Sequence, residues 1–518
     1  MSPNRILLAL RSCLAVALLC FSSQALGDEQ ELLKELDGYL ESSQEDTTPE
    51  KAGGASRMPS LGAQIADHFD GQLRLRGYAF IKDAPKGLTD TAEGNPVAEA
   101  QLRASSWAGG DGWSIHASGW LEAGTEENTY QGIDPVGRDK DRQRRYLELN
   151  ELYYTHSRED TDLTIGQKVF RNGISTLYSP ADRYRFLDLN DPTDFKDFGA
   201  WQVKVDHQRE DMSLTAAVLP LYQPMKLPDV SSRWMQGVLD TSRTSLPQAR
   251  RFPFNFIDFP HSREELLELL YYFWDWFFGD SALSNRLKGK TVLLQEDLPD
   301  NQPEDYGWFG RAKGSVGLWD LFASVYHGPG FYPVMRVEEF GDVVVITREI
   351  PNVLNLATGF STTWRGFEFH GEALYNRTEQ DRDDDYIAYV IGITRSEQVL
   401  ARKLGIDRID LTIEYAGETI TKGVNMSEGA FSSRAARLGR DDLLIRAGVT
   451  LNEDIGIDYL ADIVFWNRSR FQRLGGWYRI SSGLVCRLDL ESFSGHELSY
   501  YGRWRNNDRI ISTLTWGF

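Results

Sequence analysis

The sequence predicts an all-β fold, a transmembrane antiparallel β-barrel of about eighteen strands, and three observations predict it. From residue 72 the hydrophobic period is two, in segments about ten residues long, as expected for strands with one apolar and one polar face. The connections between these segments alternate short and long. The chain ends on Phe518, with Trp516 and Leu514 at the alternate positions before it. Composition is compatible: the 518 residues are only 41% hydrophobic but include 46 Gly, 14 Trp, 22 Tyr and 26 Phe. In a barrel only every second strand residue meets lipid, so a spanning chain need not be hydrophobic overall. Beyond residue 27 there is no run of roughly 20 apolar residues, which a helical span would need.

The N-terminus sets the compartment. Arg5 and Arg11, the apolar run from Leu14 to Leu19 and the small-x-small site Ala25-Leu26-Gly27 make residues 1–27 a secretory signal peptide. A lipoprotein start at Cys20 is the rival reading, but Leu18-Leu19 stand where small residues are wanted. Removing two arginines and no acid takes the formal net charge from -20 to -22. An acidic balance of 56 Lys+Arg against 76 Asp+Glu argues against a nucleic-acid partner. Cys13 and Cys20 leave with the signal, so Cys486 has no partner for an intramolecular disulfide and no cysteine-based zinc site is expected.

Residues 28–70 read as a periplasmic leader. Leu32, Leu33, Leu36, Tyr39 and Leu40 fall at helical spacing, and 42–59, rich in Ser, Thr, Gly, Pro and charge, reads as a linker. Such a leader has room for a periplasmic partner.

The barrel is expected over 71–518. Its first strand, 72–82, puts Leu73, Leu75, Gly77, Ala79 and Ile81 on one face and Arg74, Arg76 and Tyr78 on the other. Further strands are predicted at 97–107, 112–122, 145–156, 161–170, 199–208, 212–221, 305–315, 317–327, 353–363, 366–377, 385–394, 406–416, 441–451, 455–467, 476–488, 494–504 and 509–518. Sixteen strands is the alternative if 353–363 and 476–488 are not counted.

Connections after strands two, four, six, ten and fourteen are two to four residues long, whereas those after strands one, three, five, seven, nine and thirteen are long. A soluble sandwich has no reason to gather its long loops at one end. An outer-membrane barrel has short periplasmic turns and long extracellular loops. The stretch 395–405 is the exception, a longer turn on the short side.

Strand parity separates two faces. Toward lipid go Trp201, Val203 and Val205; Phe367, Phe369, Ala373 and Tyr375; Leu443, Ile445, Ala447 and Val449; and Tyr459, Ala461, Ile463 and Phe465. Tyr153, Trp308, Trp466 and Trp504 near strand ends suit aromatic girdles. Glu151 shares parity with Leu147, Leu149 and Tyr153, so either a bulge shifts the register or the residue lies near an interface. Into the lumen go Arg74, Arg76, Lys168, Lys204, Arg311 and Lys313 from early and middle strands. Later strands contribute Glu368, His370, Glu372, Asp410, Glu414, Asp458 and Asp462. In this set the basic and acidic groups fall on different arcs. Eighteen strands leave an aqueous interior, so charged walls point to solvated conduction; pairing of these groups with one another is the bland reading.

The alternation through Leu514, Trp516 and Phe518 resembles the C-terminal signal of bacterial outer-membrane barrels, which implies the barrel assembly machinery as a partner. Leu149-Asn150-Glu151-Leu152-Tyr153 precedes Gly166-Gln167-Lys168-Val169-Phe170-Arg171-Asn172-Gly173. That stretch opens into Ser179-Pro180-Ala181-Asp182 and Asn190-Asp191-Pro192-Thr193-Asp194. These fifty or so residues resemble proteobacterial outer-membrane porin-like proteins related to the alginate-export family, with Gln167-Lys168 where that family's strand carries Arg. The resemblance implies a passive channel for small or polymeric solutes. A loop folded into the pore would make Arg171, Asp182, Arg183, Arg185 and Asp194 constriction residues; a surface loop is the alternative.

The longest loop, about 222–304, carries a predicted amphipathic helix at 263–278. Ser262-Arg263-Glu264-Glu265 forms a capping box, and Leu266, Leu267, Leu270, Phe273, Trp274 and Phe277 follow before Gly279. About 22 Å of helix is too short to span a bilayer, which leaves a lid on the barrel mouth, an interfacial helix or a partner site. Catalysis is not expected. The eight histidines, His68, His116, His156, His207, His261, His327, His370 and His496, show no paired spacing, and Gly-x-Ser-x-Gly and His-Glu-x-x-His motifs are missing. No cofactor or metal is expected either. The sequence therefore predicts an outer-membrane channel for hydrophilic solutes; a non-conducting adhesion or scaffold barrel is the alternative, ahead of an outer-membrane hydrolase.

Overall fold

In the first strand, β1 (Asp70–Phe80), the alternation seen in sequence becomes an alternation of burial. Arg74, Arg76, Tyr78 and Phe80 are buried, while Leu73, Leu75, Gly77 and Ala79 on the other face are partly exposed. The computed structural model describes residues 61–82, 96–125, 130–134, 136, 144–226, 233–234, 291–341, 343–424, 430–435, 437–495 and 499–518. The predicted signal peptide, the leader helix and linker, and the loop helix at 263–278 lie outside these residues.

Hairpins follow β1 in chain order. They are β2 (Val97–Gly110) with β3 (Trp113–Gly124), β4 (Leu147–Arg158) with β5 (Thr161–Lys168), and β6 (Ala200–Arg209) with β7 (Met212–Leu219). Next come β8 (Gly307–Val316) with β9 (Trp319–Pro329), β10 (Asn352–Trp364) with β11 (Phe367–Thr378), and β12 (Asp385–Glu397) with β13 (Arg408–Lys422). The last are β14 (Asp441–Asn452) with β15 (Ile455–Val464) and β16 (Ser469–Ser481) with β17 (Leu484–Ser494), before the closing strand β18 (Arg509–Gly517). Each strand pairs antiparallel with its neighbours, and β1 pairs with both β2 and β18, so the 18-stranded sheet is a closed ring. Closure pairs every strand edge, which the hydrocarbon core of a membrane demands. The outward faces carry exposed Val203, Val205, Ile391, Ile457, Leu474 and Trp516. A closed ring with an apolar outer surface is the architecture that spans the bacterial outer membrane.

Seven of the eight periplasmic turns have two residues. At Arg365-Gly366 both residues have positive φ, 53° and 78°, the mirror-image geometry that matches strand twist. The eighth turn, foreseen as the exception, holds a short helix, α2 (Val399–Lys403), after α1 (Leu61–Asp67), which precedes β1. At the other end the connections are longer, apart from 379–384 and 465–468. Among them Val334–Phe340, Val343–Glu349, Thr291–Asp297 and Ala430–Phe431 make a separate four-stranded sheet that strand periodicity had not suggested.

Sixteen of the predicted strands fall on barrel strands and two do not. The segment predicted at 476–488 straddles the turn between β16 and β17. A register shift between Arg479 and Ser481 leaves Ile480 as an extra residue, so Arg479 pairs Val485 and strand parity carries unchanged through the hairpin. In sequence the two strands therefore read as one. Of the segment predicted at 494–504, Ser494 ends β17 and Gly502–Trp504 is a 3-10 turn; Tyr500, Tyr501 and Trp504 pack with Phe471 and Phe493 rather than on a strand face. Trp504 is buried there and is no girdle residue, whereas Trp308 and Trp466 are exposed. The Glu151 question resolves as a bulge: Ser118 pairs Glu151 but Gly119 pairs Leu149, leaving Asn150 extra. Leu147 and Leu152 consequently face outward, and Glu151 and Tyr153 face inward, Tyr153 stacking on His116 at 5.1 Å instead of joining a girdle.

Candidate functional site

The connection from β5 to β6, residues 169–199, turns into the barrel and touches walls on both sides of it. Its first anchor is on β11 and β13, six and eight strands from β5. Glu372 accepts the backbone N–H of Ile174 at 2.5 Å, Ser175 at 2.6 Å and Ala181 at 3.4 Å, and the Ser179 hydroxyl at 2.7 Å. Glu414 accepts Thr176 N–H at 2.8 Å, Leu177 at 3.1 Å and Tyr178 at 3.0 Å, and its Oε1 lies 2.9 Å from His370 Nε2. Five successive N–H groups thus wind about two buried carboxylates. The arrangement satisfies charges that would otherwise be costly to hold away from water. Local chemistry tightens the bend: Asp182, in the 3-10 turn Pro180–Asp182, accepts N–H from Asn172 at 2.6 Å and Gly173 at 3.0 Å. A Cβ at residue 173 would run into Ser179 Oγ, so the bend needs glycine there.

The second anchor is on strands at the other flank. Asp191 lies 2.8 Å from Arg509 on β18 and 3.0 Å from Arg76 on β1, and Asp194 lies 3.3 Å from Arg74 and 3.1 Å from Arg76. Thr193 donates to Glu491 on β17 at 3.0 Å, and Arg509 also pairs Glu491 at 2.7 Å. Burial alone would raise the Asp191 and Asp194 carboxyls, but the arginines outweigh it and hold both below the ordinary carboxylate range. A third contact brings Asp188 and Lys196, from the short pair Phe186–Asp188 and Lys196–Phe198, against Arg144 at 3.0 Å and Glu122 at 2.7 Å.

Of the loop residues singled out from sequence, Arg171 and Arg185 both pair Asp197 within the loop. Arg183 sits over the rings of Tyr178, Tyr332 and Tyr386 at 5.9, 5.1 and 5.5 Å. The strand residues are spread around the ring. Lys168 lies over Tyr153 at 4.8 Å, Lys204 pairs Asp206 at 3.0 Å, Arg311 lies over Phe322 at 5.3 Å and Lys313 is exposed. Glu368 accepts from Ser361 at 3.2 Å, Asp410 from Arg408 at 2.8 Å, Asp458 from Arg487 at 2.8 Å and Asp462 from Tyr501 at 2.6 Å. The signs are interleaved rather than separated into arcs: Glu99 and Glu122 come from early strands and Arg487 and Arg509 from late ones. Sequence reading missed Asp191, Glu122, Glu491 and Arg509. The available signal was inward parity, since Arg509 shares a face with Thr513 and Thr515 and Glu122 one with His116 and Trp120.

No family model and no curated protein matches the chain. Among solved structures, Pseudomonas aeruginosa OccK1 (OpdK) is 11% identical, with 87% of this chain and 99% of that chain covered and a TM-score of 0.42. Pseudomonas aeruginosa OccK11 (OpdR) is 8% identical over 88% of this chain and 97% of that chain, TM-score 0.41. A loop-deletion mutant of OmpT, an outer membrane protein of Vibrio cholerae, is 9% identical over 87% and 98%, TM-score 0.32. The functional reading rests on this chain's own residues.

Proposed function

We propose that this barrel is an outer-membrane channel through which hydrophilic solutes, small or polymeric, diffuse inward or are exported, and that loop 169–199 is its constriction. The observation that carries the reading is the loop's attachment to both flanks of the interior, to Glu372 and Glu414 on one and to Arg76 and Arg509 on the other. A surface loop would have no use for buried carboxylates and guanidinium groups on strands so far apart. The polar inward faces supply the solvated wall that conduction needs. Arg171, Asp182, Arg183, Arg185 and Asp194 then hold the constriction's shape, while Lys204, Lys313, Glu368, Asp410 and Asp458 line the wall beside it.

Single-channel recording in planar bilayers tests this. Deleting 175–192 is expected to raise conductance; an unchanged value would overturn the constriction role. A wild-type barrel that conducts nothing, alone or with that deletion, would favour the adhesion or scaffold reading. Liposome swelling with sugars, organic acids, fatty acids and polyuronates then sorts the solutes.

A further inference from the structure

Three neighbouring periplasmic turns differ from the others in chemistry. Asp111, Glu159-Asp160, Glu210-Asp211 and Glu453-Asp454 make four of the eight turns acidic, and Arg158 and Arg209, at the strand ends beside two of them, adjoin those acids. The turns β8–β9, β10–β11 and β12–β13 stand side by side in the ring and are apolar or basic instead. Exposed there are Val316, Leu318 and Trp319 at the first, Trp364 and Arg365 at the second, and Val399, Leu400 and Leu404 at the third. Leu318, Val399 and Leu404 are 75%, 70% and 63% exposed. Large apolar side chains gathered on adjacent turns mark a contact surface, whereas single ones would not.

The third of these turns is a built element rather than a slack loop. Glu397 accepts the Leu400 N–H at 2.9 Å at the start of α2. Gly405, with φ of 76°, ends it, and Ile406 N–H returns to Ala401 O at 3.1 Å. Ala401 is buried, which leaves Val399, Leu400, Lys403 and Leu404 on the open side of the helix, with exposed Arg402 at its edge.

Strand register sets the height of this rim in the membrane. Arg395 pairs Leu411 and shares parity with exposed Ile391, so it faces lipid near the end of β12. It lies 4.3 Å from the Phe367 ring and pairs Glu397, while Arg365 lies 4.6 Å from the Trp364 ring. Exposed Trp319 and Trp364 at strand ends belong at the headgroup level, and cations laid over such rings keep their stems on apolar surface and their charge among the headgroups. Glu397 balances Arg395, and Asp407 is the other acid of the turn. Among the described residues Arg365, Arg402 and Lys403 have no carboxylate partner.

We infer that this rim, from Leu318 through Trp364 and Arg365 to α2, is a binding site for an anionic phospholipid of the periplasmic leaflet. Val399, Leu400 and Leu404 enter the acyl boundary, as the apolar face of an interfacial helix does, and Arg365, Arg402 and Lys403 take the phosphate. Charge selects the occupant. In a chain of net charge -20 whose other charged turns are acidic, this arc alone among the described turns attracts a negative headgroup. The site does not depend on whether the barrel conducts.

The test compares the full-length barrel with its Arg365→Gln, Arg402→Gln, Lys403→Gln triple variant, both confirmed as folded by heat-modifiability. Native mass spectrometry reads bound dioleoylphosphatidylglycerol against dioleoylphosphatidylethanolamine. Wild type is expected to prefer the phosphatidylglycerol by about fivefold or more, the worth of one cation near an anionic surface, and the variant to lose most of that preference. No preference in wild type, or an equal one in the variant, would overturn the inference. A nitroxide attached through Leu400→Cys, in a Cys486→Ser background, reads the position of α2 independently. In vesicles of equal parts phosphatidylethanolamine and phosphatidylglycerol it is expected to be relaxed more by oxygen than by a water-soluble nickel chelate. The reverse would put α2 in water, as a site for a periplasmic protein, and the lipid site would fall.

Discussion

Gly71 and Phe518 hydrogen-bond to each other twice, Gly71 N–H to Phe518 O at 3.0 Å and Phe518 N–H to Gly71 O at 2.8 Å. The Phe518 ring lies over residue 71, so a Cβ there would stand 2.5 Å from ring carbon Cε2. The last residue thereby completes the seam between β18 and β1, with Trp516 packed against the same ring at 5.0 Å. Gly71→Val should swing the half-exposed ring aside and lower the urea midpoint in detergent only slightly, by less than the ~1–3 kcal/mol of core overpacking. Removing Phe518 should lower the yield of heat-modifiable barrel in cells while leaving the conductance of assembled molecules unchanged. Equal yields would count against Phe518, Trp516 and Leu514 as an assembly signal.

Glu414 is the point where the lumen loop has most to lose. Glu414→Ala leaves three loop N–H groups and His370 without their acceptor, at about 1.5–3 kcal/mol for each charged hydrogen bond before relaxation. Recordings should show a noisier and larger conductance, and the Glu372→Ala, Glu414→Ala double variant should exceed either alone by less than their sum, because both hold one segment. Gly392→Ala offers the same effect by another route, since a Cβ there would press on His370 and lie 2.7 Å from Glu414 Cγ. If both variants record like wild type, the loop is held elsewhere.

Much of this fold could be read in sequence because one physical signal, alternation, is local. Leu73 to Ala79 or Trp201 to Val205 declare their faces within five to seven residues. Where a bulge keeps or breaks parity the signal misleads: Ile480 joins β16 to β17 without a visible break, and Asn150 makes Glu151 appear to face lipid. The site was half legible for a related reason. Inward charge on Glu372 or Glu414 is visible as parity, but what it binds, a backbone segment about 190 to 240 residues earlier, is set by tertiary folding and leaves no periodic trace. Arg233, which donates to Lys82 O and Asn506 O, gives no pattern at all, because it makes a contact rather than an element.

Asp191 and Asp194 fix the pH range over which loop 169–199 stays tied to Arg76 and Arg509. Their carboxyls ionise below an unfolded value of about 3.9, so between the folded and unfolded values the unfolded chain binds more protons. Their stabilisation is complete above the unfolded value and disappears as pH falls through the depressed folded values. Conductance set by the loop should therefore be steady from pH 7 down to about 4 and change only at more acid pH. Asp191→Asn should give the altered conductance already at pH 7. Release of the loop between pH 6 and 5 would contradict this assignment.

The Asn150 bulge makes the sharpest demand on register. With it, Leu147 and Leu149 face lipid on one side of the extra residue, and Glu151 and Tyr153 face the interior on the other, where Glu151 lies 3.7 Å from His116 and accepts Val169 N–H at 2.9 Å. Deleting Asn150 removes the unpaired residue and leaves β4 with regular alternation, Leu147, Leu149 and Leu152 still outward and Glu151 and Tyr153 still inward. The deletion should therefore assemble nearly as well as wild type, read as the yield of heat-modifiable barrel. Were Asn150 an ordinary paired residue, its deletion would turn either Glu151 to lipid or Leu147 and Leu149 to the lumen. A charged group on the lipid face near the midplane costs about 2–4 kcal/mol when basic and less when acidic, and two leucines facing a wet lumen forfeit about 1.5–3 kcal/mol each. A sharp fall in the folded fraction would thus show that the bulge does not lie at Asn150.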